Sequence, residues 1–117
     1  MTTTISFSCH HIDFKDLVMC SFDLNKTEYN LLLFLLSQHD SLSATQIGEM
    51  TKKDRTTIQK AIKKLFEKDL VLKHQVNLDT GGYTFVYKVK NRDYIRQTIL
   101  EIINKWHAQV VESVKKW

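Results

Sequence analysis

Asp54-Arg55-Thr56-Thr57-Ile58-Gln59-Lys60-Ala61-Ile62-Lys63-Lys64-Leu65-Phe66-Glu67-Lys68 carries more structural information than any other stretch of the chain. Its apolar residues, Ile58, Ala61, Ile62, Leu65 and Phe66, recur at i, i+3, i+4, i+7 and i+8. That spacing lines one side of a helix with 3.6 residues per turn. Asp54 suits the N-cap, because a short carboxylate accepts from the unpaired amides of the first turn. The far side holds Thr56, Thr57, Lys60, Lys63, Lys64 and Glu67, flanked by Arg55 and Gln59. From Thr51 to Lys68 seven cations stand against two acidic residues, a net +5, while the formal charge of all 117 residues is +4. The remainder is therefore close to neutral, and the positive charge is gathered on one short amphipathic helix. A cationic surface helix alone is equally a solubility device. Its neighbours give it a more specific meaning.

On the N-terminal side, Ser43 with Gln46 three residues on forms a capping box. It opens a short helix whose Ile47 and Met50 are expected to face inward, with Gly48 permitting close helix packing. Asn25 and Glu28 have the same relation. They open a helix from Lys26 to about His39, whose Tyr29, Leu32, Leu33 and Leu36 mark it as the most buried. A further helix is expected over about Cys9 to Phe22, with Ile12, Leu17, Val18 and Met19 as its apolar side. Met1 to Ser8 is polar, Thr-rich and without a period, and is expected as a tail.

On the C-terminal side the period changes from about 3.6 to 2. Leu72, His74, Val76 and Leu78 alternate with Val71, Lys73, Gln75 and Asn77, and Tyr83, Phe85, Tyr87 and Val89 alternate with Thr84, Val86, Lys88 and Lys90. Asp79-Thr80-Gly81-Gly82 lies between the two strands, and adjacent glycines supply the positive φ that a hairpin turn needs. Asn91 can cap a last helix toward Trp117, with Ile95, Ile99, Ile102, Ile103, Trp106, Val110, Val114 and Trp117 every three or four residues. Such a helix spans roughly 35 to 40 Å at 1.5 Å per residue, more than so small a body covers. Its far end needs a partner. We therefore expect a two-fold homodimer with Ile99, Ile103, Trp106, Val110, Val114 and Trp117 at the interface.

The order helix, helix, short helix, cationic helix, hairpin, long helix is the layout of a winged helix-turn-helix domain: mainly α with a small β-hairpin. The segments Leu42 to Met50 and Asp54 to Val71 resemble MarR-like and archaeal TrmB-like transcriptional regulators, over about half of the chain. Those families usually carry glycine where this chain has Asp69, and aspartate tolerates the left-handed conformation that a helix C-terminus often uses. The sugar-sensing domain of longer TrmB-like proteins has no counterpart in these 117 residues, so the resemblance implies DNA binding without assigning a small-molecule effector. It also hints at an archaeal source.

A helix fits the major groove and presents its first turns to base edges, while a hairpin lies on the adjacent backbone or minor groove. On that geometry Thr56, Thr57, Gln59 and Lys60 are candidate base readers. Lys52, Lys53, Arg55, Lys63 and Lys64 are candidate phosphate contacts, joined by Lys73, Lys88 and Lys90 of the wing (about 71–90). Asp79 at the turn disfavours phosphate and predicts a weak clamp at the tip. The expected partner is double-stranded DNA, with two recognition helices about 34 Å apart in the dimer and an inverted-repeat site. The competing reading is a winged-helix protein-interaction module of a larger assembly.

Composition agrees with a single globular domain of 117 residues: 43% hydrophobic, 26% charged, no proline and three glycines. The expected division is a tail at 1–8, a winged-helix core at 9–90 and a dimerisation helix at 91–117. Two cysteines without a signal peptide read as reduced thiols in a cytoplasmic protein, and the apolar run Leu31 to Leu36 is too short for a membrane span. Cys9, His10, His11 and Cys20 are metal-ligand types, but their spacing matches no usual zinc site. Placed eleven apart on one side of a helix, the cysteines read as packing residues. No Gly-rich phosphate loop, nucleophile elbow or zinc-hydrolase spacing is present, so neither an enzyme nor a cofactor is expected.

Overall fold

A computed structural model describes residues 4–117. The elements among them are β1 (Thr4–Phe7), β2 (His10–Asp13), α1 (Phe14–Phe22), α2 (Lys26–Leu36), β3 (Leu42–Ser43), α3 (Ala44–Thr51), α4 (Arg55–Glu67), β4 (Val71–Asn77), β5 (Tyr83–Val89) and α5 (Arg92–Lys116). They form two compact units, one of residues 25–90 and one of the residues up to Leu24 with those from Asn91 onward. The first helix groups with the last in one of these units.

In the unit of residues 25–90 each helix begins where the sequence supplies a cap. Asn25 Oδ1 accepts from the Glu28 amide at 2.8 Å, and Glu28 Oε1 accepts from the Asn25 amide at 2.8 Å. Ser43 and Gln46 make the same reciprocal pair, at 3.2 and 2.9 Å. Asp54 accepts from the Thr57 amide at 3.3 Å to start α4. α4 lies against α2 and α3, and its buried residues are Ile58, Ala61, Ile62 and Leu65. Leu31, Leu32 and Leu35 of α2 and Ile47 of α3 are buried as well, as are Leu70 and Val71.

The end of α4 is closed by Asp69. Its φ of 62° is left-handed, its amide donates to Phe66 O at 3.0 Å, and the Leu70 amide donates to Leu65 O at 2.9 Å. This is a Schellman cap with aspartate in the place usually taken by glycine, and its apolar partners Leu65 and Leu70 are fully buried. Directly afterwards β4 and β5 pair antiparallel from Val71↔Val89 to Asn77↔Tyr83. Gly81 (φ 94°) and Gly82 (φ 79°) turn the chain, with the Gly81 amide donating to Leu78 O and the Leu78 amide to Gly82 O.

Four expectations are corrected in this unit. Met50 is 52% exposed, because α3 buries Ala44, Ile47 and Gly48. At 100° per residue that arc leaves Met50 roughly 115° from its centre. Phe66 is 49% exposed and lies beside the wing. On α2 the inward stripe is Leu31, Leu32 and Leu35, while Leu33 is exposed, and the helix stops at Leu36 instead of about His39. The hairpin is also one part of a three-stranded sheet, order β3-β5-β4, in which Leu42 pairs with Tyr87 and Ser43 with Val86.

In the other unit the expected tail and the start of the expected Cys9–Phe22 helix are corrected together. β1 and β2 form an antiparallel hairpin, Thr4↔Asp13 to Phe7↔His10, with Ser6 Oγ and His11 Nδ1 2.8 Å apart. Residues 1–3 of the expected tail lie outside the described residues. α1 begins only at Phe14 and ends at Asp23, which is left-handed at φ 55°. Val18 and Phe22 are buried, and α1 contacts α5, whose buried residues are Ile95 and Ile99. Asn91 Oδ1 accepts from the Tyr94 amide at 2.7 Å to start α5, a helix of 25 residues and about 37 Å. Among the described residues no helix is long and apolar enough to cross a membrane.

Candidate nucleic-acid interface

The outward side of α4 is built by the same periodicity that buries its inner side. With 100° per residue, Arg55, Thr56, Gln59, Lys60 and Lys63 occupy an arc of roughly 140°, centred about 140° around the helix from Ile58, Ala61, Ile62 and Leu65. All five are exposed. Lys52 and Lys53 are exposed in the turn that leads into α4. These residues form one cationic surface with amide and hydroxyl groups interspersed.

The turn holds that surface in place by close backbone contact. Lys52 adopts φ 58°, and the Lys53 amide donates to Gly48 O at 3.0 Å. A Cβ on Gly48 would lie 2.9 Å from the Lys53 carbonyl oxygen. Gly48 therefore permits the α3–α4 approach, as its position in the sequence suggested.

Thr57 differs from the expected pattern. It is half-buried, and its hydroxyl donates to Asp54 Oδ1 while its amide donates to Oδ2. The hydroxyl and then the amide of Thr57 hold the Asp54 carboxyl below its ordinary range. Thr57 is thus a capping partner at the first turn of α4. Lys64 is half-buried at the edge of the arc.

The three wing lysines are not brought together. Lys73 pairs with Tyr87 and Lys88 with Leu72, so the register sends Lys73 and Lys88 to opposite faces of the ribbon. The Lys73 ammonium lies 4.2 Å from the centroid of the Phe85 ring and 5.8 Å from that of Phe66. Lys90 Nζ donates to Asp69 Oδ1 at 2.6 Å, and its side chain is 19% exposed. Lys88 is exposed. The tip, Leu78 to Gly82, has Asp79 and no cation.

A family model described as sugar-specific transcriptional regulator TrmB matches residues 19–93. The chain belongs to the TrmB family. The uncharacterized protein MJ1082 of Methanocaldococcus jannaschii is 31% identical over 103 residues, 88% of this chain and 81% of its own length. A possible transcriptional regulator from Methanosarcina mazei Go1 superposes with a TM-score of 0.91 at 29% identity, covering 100% of this chain and 98% of that one. The MepR–DNA complex of S. aureus superposes with a TM-score of 0.56 at 17% identity, over 86% of this chain and 83% of MepR, which shows the shared winged-helix fold. The TrmB family is one of transcriptional regulators, and the Methanosarcina mazei Go1 protein is described as a possible one; neither description is that of an enzyme.

Outside the helix-turn-helix, this TrmB-family chain places the expected dimer residues unevenly. Ile99 is 6% exposed and Ile103 half-buried, whereas Trp106 (64%), Val110, Val114 and Trp117 are exposed. Leu100, which sequence reading passed over, is exposed beside them. Cys9 lies in the β1–β2 turn and Cys20 on α1, so they do not share a helix. Among the described residues no group of three or more His, Cys, Asp or Glu side chains is placed to hold a metal.

Proposed function

We propose that this chain is a sequence-specific regulator that binds double-stranded DNA, with α4 in the major groove and the wing on the flanking backbone. The observation that supports it best is the outward side of α4: five exposed polar or cationic residues on one arc, held by a capped and tightly turned helix-turn-helix. In this reading Thr56, Gln59 and Lys60 meet base edges. Arg55, Lys52, Lys53 and Lys63 surround them as phosphate contacts. The S. aureus MepR–DNA complex is an instance of this fold on DNA. Occupying a promoter would then block or recruit the transcription machinery.

The same reading makes the chain a homodimer through the far half of α5. Trp106, Val110, Val114 and Trp117 keep their apolar surface in water in the single chain, and a second copy of the stripe would cover it. The site read by such a dimer is an inverted repeat. Selection of bound fragments from genomic DNA, followed by affinity measured against salt, tests the proposal. The expected result is an enriched inverted repeat whose log K falls linearly with log salt. No enriched motif together with no salt-dependent duplex binding refutes it.

A further inference from the structure

Two of the three wing lysines, Lys73 and Lys90, have partners inside the protein, and one partner of each lies at the C-terminal end of α4. Asp69, which caps α4, accepts from Lys90 Nζ at 2.6 Å, and the Lys90 amide donates to Leu70 O at 2.9 Å. Lys90 follows β5 directly, so one residue ties the last strand to the helix cap through both side chain and backbone. From the other strand, the Lys73 ammonium sits over Phe85 and reaches toward Phe66 of α4. A cation near two ring faces is attracted to both. Two separate contacts thus join the ribbon to α4, one at its base and one two residues along β4.

We infer that Lys73 and Lys90 are positioning residues that fix the angle of the wing to α4, and that they contribute to DNA binding through geometry and not as phosphate contacts. This rests on the DNA-binding reading above. Charge counting alone placed them with Lys63 and Lys88, but the register and the 2.6 Å ion pair separate them. The cations left for phosphate on the wing reduce to Lys88, on the opposite face from Lys73.

The salt dependence of duplex affinity distinguishes the two roles, because each neutralised phosphate adds about 0.9 to the slope of log K against log salt. Full-length K63A, K73A, K90A and K73R are compared with the parent chain on one selected duplex. K63A is expected to lower the slope by about 0.9. K73A and K90A are expected to lose affinity by about two- to fivefold, the range that one exposed cation–π contact or one partly screened ion pair allows, with the slope unchanged. K73R, which keeps a cation over the rings, retains the parent affinity. A slope reduced by about 0.9 in K73A or K90A overturns the inference, as does parent affinity in both. Amide hydrogen exchange without DNA supplies an independent arm: K73A and K90A should speed exchange across β4 and β5 while leaving α2 and α4 protected. Unchanged exchange in the wing overturns the strut even if the parent chain binds no duplex, an outcome that refutes the DNA reading instead.

Discussion

Replacing Gly48 by alanine sets two effects of opposite sign against each other in the middle of α3. Helix propensity favours alanine over glycine by about 1 kcal/mol. Against this, the new methyl group would stand 2.9 Å from the Lys53 carbonyl oxygen, closer than carbon and oxygen tolerate, and 3.9 Å from Ile58 Cγ1. The oxygen belongs to backbone held on both sides: the Lys53 amide is bonded to Gly48 O, and Asp54 caps α4. Relief therefore requires the α3–α4 turn to open, and forced insertion of a methyl into a packed site costs about 1–3 kcal/mol. The two terms leave a net loss of up to about 2 kcal/mol, and with a backbone oxygen as the obstacle we expect the steric effect to win. Urea unfolding measures it as a lower midpoint at unchanged m-value. Glu49→Ala, on the exposed side of the same helix, serves as control and should stay within about 0.5 kcal/mol. A Gly48→Ala chain more stable than the parent by about 1 kcal/mol would show that propensity acts alone and that the turn is not tightly closed.

Other substitutions test neighbouring parts. Ser43→Ala removes half of a capping box and should cost about 1 kcal/mol in thermal or chemical unfolding. Lys52→Gly relieves a left-handed lysine at φ 58° and should raise stability by roughly 1 kcal/mol while weakening duplex binding, read by melting and by anisotropy. Burial raises the Tyr87 phenol above its ordinary value, so the folded chain holds that proton more tightly than the unfolded one. Its contribution is present below about pH 10 and lost as pH rises through the raised folded value, so the parent should lose stability relative to Tyr87→Phe as pH climbs above about 10. Charging the α5 stripe by Trp106→Glu with Val114→Glu should leave a monomer in light scattering, with the helical circular dichroism signal retained.

The helices and the wing were legible because their signals are local and redundant. α4 shows a gapless apolar stripe, a cap at Asp54 and a stop at Asp69, and each of the three points to the same boundaries. β3 was not legible, since two residues carry no period and one of them, Ser43, already serves as the cap of α3. The β1–β2 hairpin was missed for a related reason: each strand has only four residues, His10 and His11 break the alternation in the second, and the turn residues Ser8 and Cys9 lack glycine. Within the candidate site, the residues of α4 follow from helix geometry alone. The fates of Lys73, Lys88 and Lys90 depend on strand register and on one long-range ion pair, and composition carries neither. The capping role of Thr57 was not legible either, although a threonine three residues after a capping aspartate can donate its hydroxyl to that carboxylate.

Amide chemical-shift mapping of the labelled chain during titration with a selected duplex asks which surface meets DNA. The outward side of α4 and its turn, from Lys52 to Lys63, should shift first and furthest, followed by the wing, with the Trp106–Trp117 end of α5 unmoved. Shifts confined to α5 or the β1–β2 hairpin, with α4 silent, would contradict the assignment of this helix to the groove.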